Sequence, residues 1–191
     1  MDALSSVALG IGLAAACGFR VFAPLLGLSL AHRAGLDLPL ADGFGWAQTD
    51  TALILLVVAT VLEMLAYFIP FVDNVLDTVA TPAAMVAGAG ASASVLGDFS
   101  PVMQWGLAAV AGGGASGLVQ GGTVAARGAS SAGTGGLGNF LVAGGEALLS
   151  VLTTLLAVVA PVVTLVVVAA GCFLGVRAIR RRSGRGESVS A

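Results

Sequence analysis

One arginine, Arg20, stands in the middle of an apolar segment, residues 13–35, that is otherwise built mainly from alanine, glycine and leucine. Gly18 and Pro24 lie on either side of it, and glycine and proline both weaken helices. A guanidinium at that depth in a lipid bilayer is costly, so it must face protein or water. The segment therefore predicts a broken or re-entrant helix that directs its charge toward the interior of a helix bundle.

The rest of the chain is also short of charge. Its mean hydropathy is +1.03 and only 9% of its residues are charged, which leaves too little polar surface for a water-soluble domain. Because no basic residue precedes the first apolar run, we expect no cleavable signal peptide. We predict an all-α integral membrane protein with about six membrane elements, at residues 4–31, 51–69, 82–96, 103–126, 140–157 and 161–179.

Basic residues are concentrated at the C-terminal end. The chain contains no lysine, and five of its eight arginines lie near its C-terminal end, namely Arg177, Arg180, Arg181, Arg182 and Arg185. By the positive-inside bias this end lies in the cytoplasm, where residues 183–191 form a disordered tail. Six crossings place the N-terminus on the same side. The prediction is a multi-pass protein of the cell (inner) membrane with cytoplasmic N- and C-termini.

The chain divides into two similar halves, residues 1–100 and 101–182. The arginine-bearing segment of the first half has a counterpart at residues 107–129, where the interruption would fall at Gly112 and Gly113. Each half contains three membrane elements, and an odd number gives the second copy the opposite orientation. We therefore predict two inverted three-element repeats in which the first element of each half is broken or re-entrant. Transporters of this construction bind substrate near the bilayer midplane, where broken helices from both halves meet.

A second topology stays open on the same pattern. If the first element of each half dips into the membrane and returns, then Arg33, Arg127 and the arginine-rich end all lie on one side. With six crossings, Arg33 instead lies outside, in a loop that is net acidic. We favour six crossings because the first element contains enough residues to cross the bilayer. Labelling of residues 36–50 from either side of the membrane would distinguish the two topologies.

Two glutamates, Glu63 and Glu146, are the acidic residues that fall inside predicted spanning segments. A carboxylate at that depth is usually paired, protonated or in contact with water. The two could bind a cation or relay protons, and Arg20, whose guanidinium can grip phosphate or carboxylate bidentately, could bind an anionic head group or substrate. The alternative is that Arg20 pairs with one of the two glutamates and that the charges only join helices.

Three further polar residues are candidates for substrate or ion binding. Asp73 and Asp77 are four residues apart and would share one face of a helix, where they could coordinate a cation or cap the next helix. A solvated turn between spans is the alternative. Asn139 ends a glycine- and hydroxyl-rich loop, residues 127–139, that could form an anion-binding nest. A flexible linker is the alternative there, and the loop lacks the lysine of a nucleotide-binding loop.

Several classes of function lack the residues they would need. His32 is the single histidine, which gives neither a metal site nor a catalytic triad. Cys17 and Cys172 lie in apolar segments and resemble small apolar residues rather than a disulfide or metal pair. We therefore expect no enzyme activity, no metal, no cofactor and no nucleic-acid partner. Membrane lipids are the expected partners, and the small-residue helix faces permit a homodimer.

Two motifs stand out along the chain. The first runs from a glutamate through an Ile-Pro and a Val-Asp pair to a second aspartate, at Glu63, Ile69, Pro70, Val72, Asp73 and Asp77. The second comes before Glu146 and contains Arg127, Ser130, Ser131, Thr134 and residues 136–139. Together with the glycine-broken first helix, they resemble the bacterial membrane-protein family catalogued as domain of unknown function 4126. The resemblance covers nearly the whole chain and implies a helical membrane topology, but it implies no activity.

The sequence favours a small inverted-repeat transporter or channel for a small solute, an ion or a lipid head group, with a central site lined by Arg20, Glu63 and Glu146. The alternative function is a non-transporting structural membrane protein whose buried charges only pair helices. Removal of single charges and reversal of charge pairs would separate the two, because a structural pair recovers when its charges are exchanged.

Overall fold

The computed structural model describes the backbone of residues 1–36, 38, 40–67, 69 and 72–187, and within that part it leaves out the side chains of residues 72–77, 176 and 178–187. The described residues form helices and connecting turns, with no strand. The helices are α1 (Ala3–Phe19), α2 (Ala23–Arg33), α3 (Asp50–Ala66), α4 (Val72–Ala93), α5 (Pro101–Leu107), α6 (Gly113–Thr134), α7 (Asn139–Val159) and α8 (Pro161–Glu187). A 3-10 turn, Gly45–Gln48, precedes α3, and a π-helical turn, Ala108–Gly112, joins α5 to α6.

Helix α1 lies at the centre of the bundle and packs against α4, α6, α7 and α8. It begins after Asp2, whose carboxylate accepts the Ser5 N–H at 2.8 Å. Hydrogen bonds from the Ser5 side chain and from this N–H hold the pKa of Asp2 below its ordinary value. Its small residues let neighbouring helices approach closely, since a Cβ on Gly18 would lie 2.6 Å from the carbonyl oxygen of Ser116. The small side chains of α1 therefore set the spacing of the core.

The first membrane element is interrupted at residues 20–22. The backbone leaves helical geometry at Arg20, with φ −147° and ψ 128°, and α2 starts at Ala23. Gly18 lies inside α1, and Pro24 lies in the first turn of α2, where its missing N–H costs no helical hydrogen bond. The interruption thus falls between the glycine and the proline, at the arginine itself.

The corresponding element of the second half is one continuous helix of 34 residues, Pro101–Thr134, formed by α5, the π turn and α6. Gly112 closes the π turn and Gly113 opens α6, so a π turn takes the place of the break expected at these glycines. Glycine keeps its N–H donor, unlike proline, and a π turn absorbs an extra residue while the backbone stays hydrogen-bonded. The π turn packs closely against α4. The approach leaves no room for a side chain at Gly112, where an added Cβ would lie 2.6 Å from the Ser92 Cβ.

The third element of the first half, α4, starts earlier than hydropathy predicts. It begins at Val72 rather than at Pro82, and Pro82 lies in its interior. A proline inside a helix removes one N–H donor, but membrane helices tolerate it where neighbouring groups satisfy the freed backbone. The polar run that contains Asp73 and Asp77 is therefore part of a helix and not a turn between spans.

Two helices in the second half are longer than hydropathy predicts. Helix α6 continues to Thr134, so residues 127–134 are helical where the pattern predicts a polar loop. Helix α8 runs to Glu187, which brings part of the predicted tail into a helix, and residues 188–191 lie outside the described part of the chain. Hydropathy underestimates these helices because polar residues can occupy a helix as readily as apolar ones.

The outer surface of the bundle is strongly apolar. Among the described residues, two helices are long and apolar enough to cross a membrane, Pro101–Thr134 and Asn139–Val159, and two shorter helices are apolar, Ala3–Phe19 and Pro161–Gly175. Large apolar side chains are exposed along α3, α7 and α8, among them Ile54, Leu55, Leu62, Leu148, Leu152 and Val166. A surface of this kind is typical of contact with lipid or with another protein. Six crossings and the inverted repeat stay predictions.

Candidate functional site

A buried cluster of three charged side chains lies where α1, α6 and α7 meet. Arg20, at the end of α1, is 2% exposed, and Arg127 on α6 and Glu146 on α7 are each 3% exposed. Arg127 Nε donates to Glu146 Oε1 at 3.1 Å. Glu146 Oε2 contacts Nη2 of both arginines, that of Arg20 at 3.3 Å. One carboxylate is therefore shared by two guanidinium groups.

The interruption after α1 positions Arg20. Its backbone N–H still donates to the Ala16 carbonyl oxygen at 3.1 Å, while the chain leaves the helix at the same residue. Its Nη2 donates to the Ala143 carbonyl oxygen of α7 at 2.7 Å. Ala143 and Glu146 are three residues apart and share one face of α7, so a single guanidinium reaches both the carbonyl and the carboxylate.

Tyr67, the residue that follows α3, contacts both arginines with its ring. The guanidinium carbons of Arg20 and Arg127 each lie 4.0 Å from the ring centroid, and Tyr67 is buried. The face of an aromatic ring attracts a cation, by as much as ~2 kcal/mol when water is excluded. The ring thus links the end of α3 to a cluster formed by α1, α6 and α7.

Glu63 on α3 has different partners from Glu146. Its carboxylate accepts the backbone N–H groups of Val21 at 2.7 Å and of Phe22 at 3.1 Å, at the start of α2. Val21 and Phe22 lie in the interruption, before the first residue of α2, so their N–H groups have no partner within either helix. Glu63 therefore satisfies the backbone donors that the interruption of the first element leaves open.

Buried polar residues continue from the cluster along α6 and α7. At helical spacing they are Ser116, Gln120, Thr123 and Arg127 on α6, and Glu146, Ser150 and Thr154 on α7. Ser150 Oγ donates to the Ala16 carbonyl oxygen of α1 at 3.0 Å. Ser150 thus joins α7 to the central helix, whereas the hydroxyls of Thr123 and Thr154 donate to carbonyl oxygens of their own helices.

Arg127 of the cluster and Tyr67 beside it are not among the predicted site residues, although Arg127 belongs to the second sequence motif. Arg127 follows Ser116, Gln120 and Thr123 at steps of four, three and four residues, which place all four on one helix face. That spacing is the signal that assigns Arg127 to a buried face instead of a loop. No comparable pattern marks Tyr67, which lies just beyond the end of α3.

The other predicted site residues lie apart from the cluster or beyond the described side chains. Asn139 opens α7, and its Nδ2 donates to Ser131 Oγ at 3.0 Å, which ties the start of α7 to the end of α6. The segment predicted as a nest or linker is thus a helix end followed by a tight turn. The backbone of Asp73 and Asp77 lies in α4, but their side chains lie outside the described residues.

A groove of about 520 Å³ opens between α1, α6, α7 and α8 beside the cluster. Of the described residues that line it, Glu146 alone is charged. A second cleft of about 410 Å³ lies between α2, α3 and α7 and has a mainly apolar lining. Within the described part of the chain, no three His, Cys, Asp or Glu side chains form a group that could hold a metal ion. The chemistry available at the cluster is ion pairing and hydrogen bonding by two guanidinium groups and a carboxylate.

Comparison with known proteins identifies the family of this chain but no activity or fold. No curated protein and no solved structure matches the chain. The profile of one protein family matches residues 7–181, which include both motifs described for the sequence and the whole charged cluster. The resemblance predicted from those motifs is confirmed. The chain belongs to the family described as Domain of unknown function (DUF4126).

Proposed function

We propose that this protein is a small membrane-embedded transporter or channel for a small solute, an ion or a lipid head group. The observation that carries the proposal is the buried cluster of Arg20, Arg127 and Glu146 inside an otherwise apolar helix bundle. Ionised side chains are rare in such surroundings, and where they occur they commonly form substrate or ion pathways. A buried ion pair is also a poor source of stability, because desolvation offsets its Coulomb energy.

The order and packing of the helices support an inverted-repeat mechanism. Each half consists of a long first element, a second helix that carries a glutamate, and a third helix. The first element of each half packs against the third helix of the other half, α1 against α8 and α6 against α4. The cluster joins side chains from both halves, as expected for a site between repeats. In this proposal six elements cross the inner membrane and both termini are cytoplasmic.

A structural role is the second candidate, and one observation favours it. Both oxygens of Glu146 are already bonded to arginine, so the cluster can serve as an internal connection between helices. A protein of this kind would move no solute. Its charges would matter for stability alone, so their substitution would change the free energy of unfolding and no transport activity.

Flux measurements on reconstituted vesicles test the proposal. Light scattering under gradients of glycerol, urea or potassium chloride reports passage of small solutes and ions, and a fluorescent phospholipid quenched from outside reports movement of head groups. We expect flux of at least one probe and its loss in the double variant Glu63→Gln, Glu146→Gln. Full flux in the double glutamine variant would exclude the two glutamates from the mechanism, and absence of flux in the native chain would favour the structural role.

A further inference from the structure

The groove beside the cluster has one charged end and an apolar body. Its walls come from α1, α6, α7 and α8 and include Phe19, Leu118, Val142 and Val167. Its volume of about 520 Å³ lies within the range of roughly 300–1,000 Å³ that is usual for small-molecule sites. The groove is therefore large enough for an extended apolar chain, and its single charged wall residue among those described, Glu146, fixes where a polar group would lie.

Glu146 separates the groove from the two arginines. Glu146 lines the groove, and its carboxylate accepts hydrogen bonds or ion contacts from Arg20 and Arg127. An acceptor group that enters along the groove meets this carboxylate first. It can reach Arg20 by moving Glu146 aside or by binding next to it, because a guanidinium group offers five donors.

Arg20 has hydrogen-bonding capacity to spare. Its Nη2 is occupied by Ala143 and Glu146, but its Nε and Nη1 have no hydrogen-bond partner among the described residues, although the side chain is buried. Buried donors in folded proteins are nearly always satisfied, since an unsatisfied one loses its bond to water without replacement. The missing acceptor at Arg20 points to a ligand that supplies oxygen atoms.

We propose that the groove and the cluster together bind a single-chain amphiphile with an anionic head, of the long-chain carboxylate type. The alkyl chain lies in the groove, and the carboxylate of the ligand binds Arg20 beside or in place of Glu146. This inference rests on the transport function proposed above and names its substrate class. The ligand enters from the bilayer. Transfer of a free anion from water into an apolar groove is costly, whereas burial of an alkyl chain there is favourable.

Two glycines of the groove allow it to be filled without disturbing the helices. A Cβ on Gly122 or Gly145 would have no atom within 4 Å, and both residues line the groove. Their neighbours Gly121 and Gly144 have equally open surroundings, and neither belongs to the groove lining. Leucine at each position changes helix propensity equally, so the two pairs differ only in whether the side chain occupies the groove.

The test uses the full chain in lipid nanodiscs with spin-labelled stearic acid as the probe, and electron paramagnetic resonance measures the motionally restricted fraction. Gly122→Leu and Gly145→Leu should each weaken binding about tenfold, because the new side chain displaces roughly two methylene groups of the probe. Gly121→Leu and Gly144→Leu should bind as the native chain does. Native binding by both groove variants, or equal losses in the control variants, would overturn the assignment of the groove.

Two further probes test the head group and its source. The methyl ester of the labelled acid lacks the negative charge and should show no restricted fraction, whereas equal restriction would overturn the role of Arg20. Excess acetate should leave the labelled acid in place, and its displacement by acetate would show a site for free anions instead. Binding is measured at equilibrium and needs no transport, so a restricted probe without any flux overturns the transport function alone. Flux without a restricted probe overturns this inference alone.

Discussion

Glu63 on α3 and Glu146 on α7 occupy matching positions in the internal repeat predicted from the sequence, yet their surroundings differ. Glu63 is partly exposed and accepts two backbone N–H groups, whereas Glu146 is 3% exposed and pairs with two arginines. Helix α3 packs against α2 and the 3-10 turn at the edge of the bundle, while α7 packs against α1, α2, α6 and α8. A glutamate accepts hydrogen bonds from backbone N–H groups in the first half, whereas a glutamate in the second half neutralises buried guanidinium charge.

The difference follows from the first element of each half. In the first half this element is interrupted at residues 20–22, and the backbone N–H groups of Val21 and Phe22 in the interruption donate to Glu63. In the second half the element is continuous through its π turn, so it places no such demand on Glu146. Two glutamates that the predicted repeat aligns therefore need not form a symmetric ion site, and the candidate site is the asymmetric cluster around Glu146.

The largest effect is expected for Glu146→Gln. The substitution leaves two buried guanidinium groups without their shared carboxylate, and breaking a buried ion pair from one side costs ~3–5 kcal/mol of stability. Reversible unfolding in mixed detergent micelles measures the loss. Glu63→Gln in the same assay is the matched control, and equal losses at the two positions would contradict the division of roles between them.

Tyr67→Leu is expected to come next, with a loss of up to ~2 kcal/mol, because it removes the ring that faces both guanidinium groups. Tyr67→Phe keeps the ring and serves as the control. The same unfolding assay applies, and the two substitutions should also be made together with Glu146→Gln, where the cost of losing the ring should change. Identical losses for leucine and phenylalanine would show that the ring contact contributes nothing.

A smaller and more local effect is expected for Glu63→Gln. A glutamine side chain has one uncharged acceptor oxygen, whereas the carboxylate has two charged ones. The loss in the free energy of unfolding should therefore be about 1 kcal/mol. Hydrogen exchange should locate it, with faster exchange at the backbone amides of Val21 and Phe22 and little change in α7. Unaltered protection of both amides would mean that Glu63 does not support the start of α2.

The smallest effect is expected for Asp50→Asn. Asp50 pairs with Arg33 between the start of α3 and the end of α2, but the two side chains are 86% and 34% exposed. Exposed ion pairs contribute ~0.2–1 kcal/mol, and added salt screens them. Unfolding at low and high ionic strength should show a small loss that disappears with salt. A loss near that of Glu146→Gln would mean that burial does not govern the strength of these pairs.

The sequence by itself determined the helical class, the apolar exterior, the family and the interruption near Arg20. These properties follow from residue types in local order, since hydropathy, glycine and proline act within a few residues of chain. It also established that Arg20 and Glu146 need partners, because the cost of burying a charge belongs to the residue itself. It left open whether Arg20 meets Glu63, Glu146 or a ligand.

Only the tertiary structure decided that partnership. Arg20 and Ala143 are 123 residues apart in the chain, and their contact depends on how α7 is rotated against the end of α1. A shift of one residue turns a helix face by about 100°, which would move Glu146 out of reach. Arg127 and Tyr67 join the same cluster for the same reason, because helix rotation and crossing are set by the packing of the whole bundle and not by any one segment.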